Sequence, residues 1–328
     1  MLTDKLQLAL AARADLLAGD PDTAFRLLAG FYEGNRNLVA DIYGRTLVLW
    51  DYSASVAAGE QLLGAAQELL LSKIPWIDCV VWKHRTSQDH HLRRGVVMFG
   101  DSPATEIKEH GIQYALDVLM NQDASFYLDT RNLRKWLLEN AVGWRVLNTF
   151  AYTGSLGVAA LTGKAEHVLQ TDRNKQFLAL ARKSGMRNRL DIGRMKLRAA
   201  DFFSEIARLK RENTRFDCVI VDPPFFSATI KGKVDLVHES VRVINKVRPL
   251  ITNGGYLISI NNALFLSGAD YMANLEALCT DGYLAIEQII PIPPDITGYP
   301  ATIEDQPPVD PAPFNHSTKI AILRVTRK

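Results

Sequence analysis

The sequence predicts an α/β chain: a small α+β region over residues 1–120, then a mostly parallel, doubly wound sheet over residues 121–328 with a late antiparallel edge strand. Two observations carry this. Beyond about residue 120, short apolar runs alternate with helical patterns at the spacing of βαβ units, which join parallel strands through crossover helices. One of these runs, Val219-Ile220-Val221, is β-branched throughout and stops at Asp222-Pro223-Pro224. A buried central strand reads this way, and two prolines then take the chain out of the sheet in a set direction.

In the first region, Leu6–Leu17 and Ala58–Leu71 carry helical apolar spacing. Residues 37–50 read as a strand, a Tyr43-Gly44-Arg45 turn and a second strand, and Ile77–Trp82 and Gly95–Phe99 add two short strands. In the second region the expected order is helix Thr130–Ala141, strand Arg145–Leu147, helix Gly157–Leu161, strand His167–Gln170 and helix Lys175–Ser184. Strand Met195–Arg198, helix Phe203–Arg211, strand Phe216–Val221 and helix Val234–Val247 follow. A turn at Asn253-Gly254-Gly255 leads to strand Tyr256–Ile260. Residues 290–314 are rich in proline and break regular structure, and Lys319–Val325 reads as a final strand closing the sheet as an edge hairpin.

Composition narrows the class. With 328 residues, 47% hydrophobic and 23% charged, the chain is long enough for one large domain or two modest ones. The net charge of +2 announces no global field for nucleic acid, so RNA contacts must come from local patches. Three cysteines, Cys79, Cys218 and Cys279, are odd in number and form no CxxC pair, which argues against disulfides and structural metal. No run approaches the ~18 apolar residues of a membrane span, and the N-terminus lacks the pattern of a signal peptide. The expectation is a soluble, cytoplasmic protein with no metal and no membrane partner.

Four strand ends carry the candidate chemistry. After the first strand comes Asn148-Thr149-Phe150-Ala151-Tyr152-Thr153-Gly154, with Gly157 just beyond. Glycines here permit close backbone approach to a ligand, and the helix start offers free N–H donors, although the spacing is not the dinucleotide fingerprint. Asp172, with Arg173 beside it, ends the second strand, where a carboxylate can accept from both ribose hydroxyls; a helix cap is the competing reading. Asp201-Phe202 ends the third, suiting an adenine amine and ring, or again a cap. Asp222-Pro223-Pro224-Phe225 ends the fourth.

Taken in order, these strand ends resemble the class I S-adenosylmethionine-dependent methyltransferases, whose fold is Rossmann-like. Residues 109–117, then Phe126-Tyr127-Leu128-Asp129-Thr130-Arg131, then Asn148–Gly154, look like the bacterial 23S rRNA methyltransferases, the cytosine-5 and guanine-N7 large-subunit group. Residues 23–34 and 41–44 are similar to the central domain of the same group. The resemblance implies S-adenosyl-L-methionine as cofactor and RNA, large-subunit rRNA above all, as partner. It puts Asp129 and Arg131 at the methionine end, Asn148 to Gly154 along the cofactor, Asp172 at the ribose and Asp201 at the adenine. Asp222 would border both cofactor and target, with Phe225 stacking on a flipped base. The group often begins with a PUA domain, for which residues 1–25 are too few.

Cytosine-5 chemistry needs a thiolate nucleophile, usually in a Thr/Ser-Cys-Ser segment after the fifth strand. Here that segment is Ser259-Ile260-Asn261-Asn262-Ala263, with no sulfur. Methylation at nitrogen needs no covalent step, and Asp222-Pro223-Pro224-Phe225 matches the D-P-P-[YF] pattern of enzymes acting on exocyclic amines. Together with Asn261-Asn262 it is also similar to segments of the guanine-N7 domain, and a guanine nitrogen is the expected target. Competing readings are a methyltransferase for protein or small molecules and a non-catalytic RNA-binding protein keeping the fold. Two basic clusters could meet RNA: Lys83-His84-Arg85 with His90, His91, Arg93 and Arg94 beside Trp82, and residues 182–198. The oligomeric state is left open, a homodimer included.

Overall fold

The computed structural model describes residues 1–224, 226–229 and 232–327; of 226–229 and 232–239 the backbone alone is described. The chain forms two compact units, Met1–Asp129 with Pro293–Gln306, and Thr130–Ile292 with Pro307–Lys328. The division differs from a single cut at 120/121: it falls nine residues later and returns residues 293–306 to the first unit.

The first unit holds a five-stranded sheet in the order Ala24–Leu28, Leu38–Tyr43, Thr46–Asp51, Cys79–His84, Val96–Phe99. Neighbours are antiparallel except Thr46–Asp51 and Cys79–His84, which are parallel and joined through helix Val56–Lys73. Leu63, Ala66 and Leu70 of that helix, at helical spacing, meet Leu6 and Ala9 of helix Leu2–Ala12 and Leu27, Ala40, Leu47 and Val80 of the sheet in one core. The proline-rich return is held by buried polar groups. Arg13 pairs with Glu33 at 3.0 Å and donates to the Asp295 carbonyl, while Asp295 Oδ2 accepts from Arg26 N at 2.9 Å.

Two of the seven basic residues of the first cluster, Lys83 and His84, are interior. Trp82, Lys83 and His84 are at most 4% exposed. Lys83 Nζ donates to three carbonyls, those of Arg94, Asn121 and Asp123. These residues cannot meet RNA phosphates; His90, His91 and Arg94 remain exposed. The strand placed Lys83 on the inner side, where a lysine survives only because every ammonium hydrogen finds an acceptor. Replacing Lys83 with Met takes the donor from three part-buried carbonyls, and we expect a loss of about 1–3 kcal/mol in denaturant unfolding.

In the second unit we label the sheet strands β1 (Arg145–Thr149), β2 (His167–Asp172), β3 (Met195–Ala199), β4 (Phe216–Val221), β5 (Ile251–Asn261), β6 (Leu284–Ile289) and β7 (Lys319–Val325). Their order is β3-β2-β1-β4-β5-β7-β6. The pairs β3–β2, β2–β1, β1–β4 and β4–β5 are parallel, and β7 is antiparallel to both β5 and β6. The helices are α1 (Arg131–Asn140), α2 (Ser155–Thr162), α3 (Lys175–Arg187), α4 (Phe202–Arg211), α5 (Leu236–Val247) and α6 (Gly268–Cys279). This is the expected doubly wound α/β class. One core gathers Phe202, Ile206 and Leu209 of α4, Val243 and Val247 of α5, and Tyr271, Leu275 and Leu278 of α6 against Val219, Val221 and Leu257. Each such side chain contributes about 1.5–3 kcal/mol when fully buried.

Three local expectations shift. The last strand is antiparallel but lies inside the sheet, and β6 takes the edge. The reason is burial: β7 is buried at six of its seven positions, whereas β6 is buried only at Leu284. The turn at residues 253–255 is absorbed into β5 as an irregularity between the pairs Phe216–Ile251 and Cys218–Tyr256. Helix α5 begins at Leu236, after a backbone hairpin of Phe226–Thr229 and Gly232–Asp235.

Candidate active site

The parallel ladder levels the strand ends. Arg198 pairs with Thr171, Thr171 with Thr149, Thr149 with Val221, and Val221 with Ser259. One row thus crosses five strands, and Asp172, Phe150 and Asp222 lie in the next. Asp172 and Asp222 are two inter-strand steps apart, about 10 Å. Strand order reverses between β1 and β4, the position where open α/β sheets form a ligand crevice.

The loop after β1 is strained and tightly held. Phe150 and Tyr152 have φ of 53° and 51°, a left-handed conformation costing of order 1–3 kcal/mol each for residues other than glycine. Thr149 Oγ1 donates to the Ile220 carbonyl at 2.7 Å, Ala151 N to the Thr171 carbonyl at 2.8 Å, and Tyr152 N to Asp172 Oδ2 at 2.9 Å. Asp172 Oδ1 accepts from Asn174 N at 2.8 Å. Asp172 is therefore not the cap of α3; that is Asn174, which accepts from Gln176 N. Asp172 instead ties the β1 loop to the end of β2. Thr153 is buried, Tyr152 packs edge-on against Phe177, and Arg173 is exposed.

The glycines have a steric cause invisible in the sequence. A Cβ on Gly157 would lie 2.4 Å from the Gln170 side chain, and one on Gly154 would lie 2.5 Å from Ala181 and 2.7 Å from Gln170. Gln170, fully buried in β2, occupies that space and accepts from Asn148 Nδ2 at 3.1 Å. Asn148 is itself 1% exposed, and its Oδ1 accepts from nothing among the described residues. Gln170 escaped the sequence reading; a polar residue within the apolar run Val168-Leu169 was its only signal.

Asp201 caps α4, accepting from Ser204 N at 3.2 Å, so the cap reading holds for it whatever else it does. Phe202 is buried and stacked on the half-buried Phe150, with centroids 4.7 Å apart and planes at 23°; one face of its ring is thereby covered. Beyond β4, Asp222 is half-buried, Pro223 buried and Pro224 exposed, and Phe225 lies outside the described residues. Beside them, Tyr271 of α6 shares a 2.7 Å hydrogen bond with Ser259. Burial pushes the Tyr271 hydroxyl well up, the Ser259 bond opposes this, and the negative charge of Asp222 adds to it. Lys319, fully buried at the start of β7, donates to the Ala263 carbonyl at 3.0 Å, and burial pulls its ammonium down to about 8. Asp129 is the last residue of the first unit, and Arg131 opens α1 in the second.

A family model described as S-adenosylmethionine-dependent methyltransferase matches residues 78–300. The chain belongs to this family. The methyltransferase is 32% identical over 282 residues to ribosomal RNA large subunit methyltransferase I of Erwinia tasmaniensis, covering 83% of this chain and 69% of that relative. With the protein of the same name from Aliivibrio fischeri it shares 30% identity over 263 residues, 78% and 65% of the two chains. The chain thus spans about two thirds of these relatives' length. A methyltransferase solved in complex with SAH has a TM-score of 0.85 at 21% identity, covering 98% of this chain and 80% of that one. A SAM-dependent methyltransferase from Streptococcus mutans has 0.84 at 20%, with the same coverage. These two establish the fold.

The cofactor of the methyltransferase is S-adenosylmethionine, and the crevice suits its chemistry. Asn148 Oδ1, without a partner among the described residues, is a buried oxygen still able to accept a hydrogen bond. Asp201, Asp172 and Asp222 put three carboxylates at or just beyond the ends of β3, β2 and β4. Among the described residues no cluster of three or more metal-ligating side chains occurs, and no helix is long and apolar enough to cross a membrane.

Proposed function

We propose that this methyltransferase transfers the methyl group to a guanine nitrogen of large-subunit ribosomal RNA. Support for the RNA comes from the relatives, which carry the name ribosomal RNA large subunit methyltransferase I. Support for nitrogen comes from the thiols. Cys218 is fully buried within β4, and burial pushes its thiol far above the ordinary range. Burial also raises the half-buried Cys279. A thiolate nucleophile is thus disfavoured at both, and no sulfur stands in the segment after β5.

The cofactor supplies an electrophilic methyl on sulfur; the nitrogen lone pair forms the new N–C bond as the S–C bond breaks. On this reading Asn148 to Gly154, Asp172 with Arg173, and Asp201 with Phe202 hold the cofactor, joined by Asp129 and Arg131. Asp222 and the turn through Pro223, Pro224 and Phe225 align the target, so catalysis is mainly positioning and local electrostatics. The first unit would contribute RNA contacts through its exposed basic residues.

The deciding experiment incubates the enzyme and labelled cofactor with rRNA from a strain lacking the gene and identifies the labelled nucleoside by mass spectrometry. A methylated guanosine is expected. Label at cytosine C5 would refute the nitrogen assignment, and label in no RNA would favour a protein or small-molecule substrate. As a separate check, Cys218→Ala and Cys279→Ser retain transfer within about threefold, because neither thiol takes part; loss of turnover in a stably folded variant would restore a thiol mechanism.

A further inference from the structure

We propose that Asn261 is a substrate-recognition residue, whose side-chain Nδ2 donates a hydrogen bond to an acceptor on the base being methylated, a carbonyl oxygen or an unprotonated ring nitrogen. The inference rests on reading the chain as a base methyltransferase and adds the group that recognises the base.

Asn261 is the last residue of β5 and is 1% exposed. Its Oδ1 accepts from Ala263 N at 3.0 Å. A backbone N–H can only donate, so this bond decides which end of the amide is oxygen and which is nitrogen. Nδ2 therefore carries two hydrogens, and among the described residues neither finds an acceptor. A buried donor left unsatisfied costs about 1–3 kcal/mol, and such groups are uncommon enough in folded proteins to call for a cause.

Relaxation does not remove this cost, because the amide is clamped. Lys319 stands directly opposite Asn261 on β7, and its Nζ donates to the Ala263 carbonyl. Ala263 is thus gripped at its N–H by Asn261 and at its C=O by Lys319. An amide free to rotate could seek a partner, whereas this one is held with its donor fixed. The fold uses only the oxygen of Asn261, and the nitrogen is surplus to it.

Position supplies the cause. Val221 pairs with Ser259, so the chain leaving β4 through Asp222 and Pro223 runs beside Ile260 and Asn261. The unsatisfied donor is thereby next to the turn assigned to the target base. A base entering that turn brings acceptor atoms, and a rigid, desolvated donor discriminates between bases that present an acceptor there and bases that do not.

The test compares Asn261→Asp and Asn261→Ser with the unaltered enzyme. Aspartate preserves shape and the acceptor for Ala263 N, and serine can accept from the same N–H through a short turn. Both lack a donor at the Nδ2 position. Transfer to rRNA from a strain lacking the gene, cofactor affinity by calorimetry and thermal melting are measured for each. We expect kcat/KM for rRNA to fall roughly 10–100-fold, with cofactor affinity within about twofold and melting unchanged in at least one variant. Unchanged kcat/KM overturns the proposal. So does a loss matched by weaker cofactor binding, or one that tracks melting in both variants. If the unaltered enzyme methylates no RNA, the parent reading falls and this inference with it; if it methylates RNA and both variants do so equally well, this inference alone fails.

Discussion

Asp222→Ala lowers kcat for methyl transfer by roughly 10²–10³-fold, the range found when one preorganised electrostatic contact is removed from a reacting centre. Cofactor affinity stays within a few-fold. The prediction follows from where Asp222 stands: just past β4, at the reversal of strand order, with the rigid Pro223-Pro224 segment holding it. It is half-buried, and its charge reaches Tyr271 in the wall formed by α6. Tyr271 stays a neutral phenol, so the fold does not depend on that charge for an ion pair with it; melting unchanged with turnover lost separates the proposed role from a structural one. Single-turnover transfer and calorimetric binding on the same preparation make the check. Unchanged turnover would refute the assignment of Asp222 to the transfer site.

Asp172→Ala raises the cofactor dissociation constant by roughly 10–100-fold, corresponding to about 1.5–3 kcal/mol for hydrogen bonds to a charged group. Two effects combine. The carboxylate is the proposed partner of the ribose hydroxyls, and it also accepts from Tyr152 N and Asn174 N, holding the strained loop after β1 in place. They can be separated with a cofactor analogue lacking the ribose hydroxyls. If Asp172 binds the ribose, the penalty for the analogue seen in the unaltered enzyme disappears in the variant, the signature of coupling in a double-change cycle. A penalty of equal size in both would mean that Asp172 acts through the loop alone.

Much of the second unit was legible in residue order. Phe216–Val221 forms a strand with the expected bounds because a β-branched run ended by two prolines has few other places to go. Lys319–Val325 is equally exact. What escaped was either half-exposed or long-range. The edge strand β6 has only one buried residue, and its apolar positions are interrupted by Glu287-Gln288, so no clean alternation marked it. Residues 293–306 carry prolines and no periodicity; their place in the first unit is set by Arg13, Glu33 and Asp295, groups up to 282 residues apart. Lys83 and His84 looked like surface charge because a sequence displays charge and not solvent, and the carbonyls that accept from Lys83 come from residues 94, 121 and 123.

The candidate site divides in the same way. Residue order alone determined the α/β class, the four strand ends and the acids upon them, because strand periodicity and turn residues act over a few positions. Tertiary structure decided what those groups do. It paired Thr171, Thr149, Val221 and Ser259 in one row, filled the space beside Gly154 and Gly157 with Gln170, and made Asp201 a helix cap. It left Asn148 Oδ1 and Asn261 Nδ2 buried without partners among the described residues. Hydrogen-bond satisfaction and burial depend on neighbours brought together by the fold, and no local pattern encodes them.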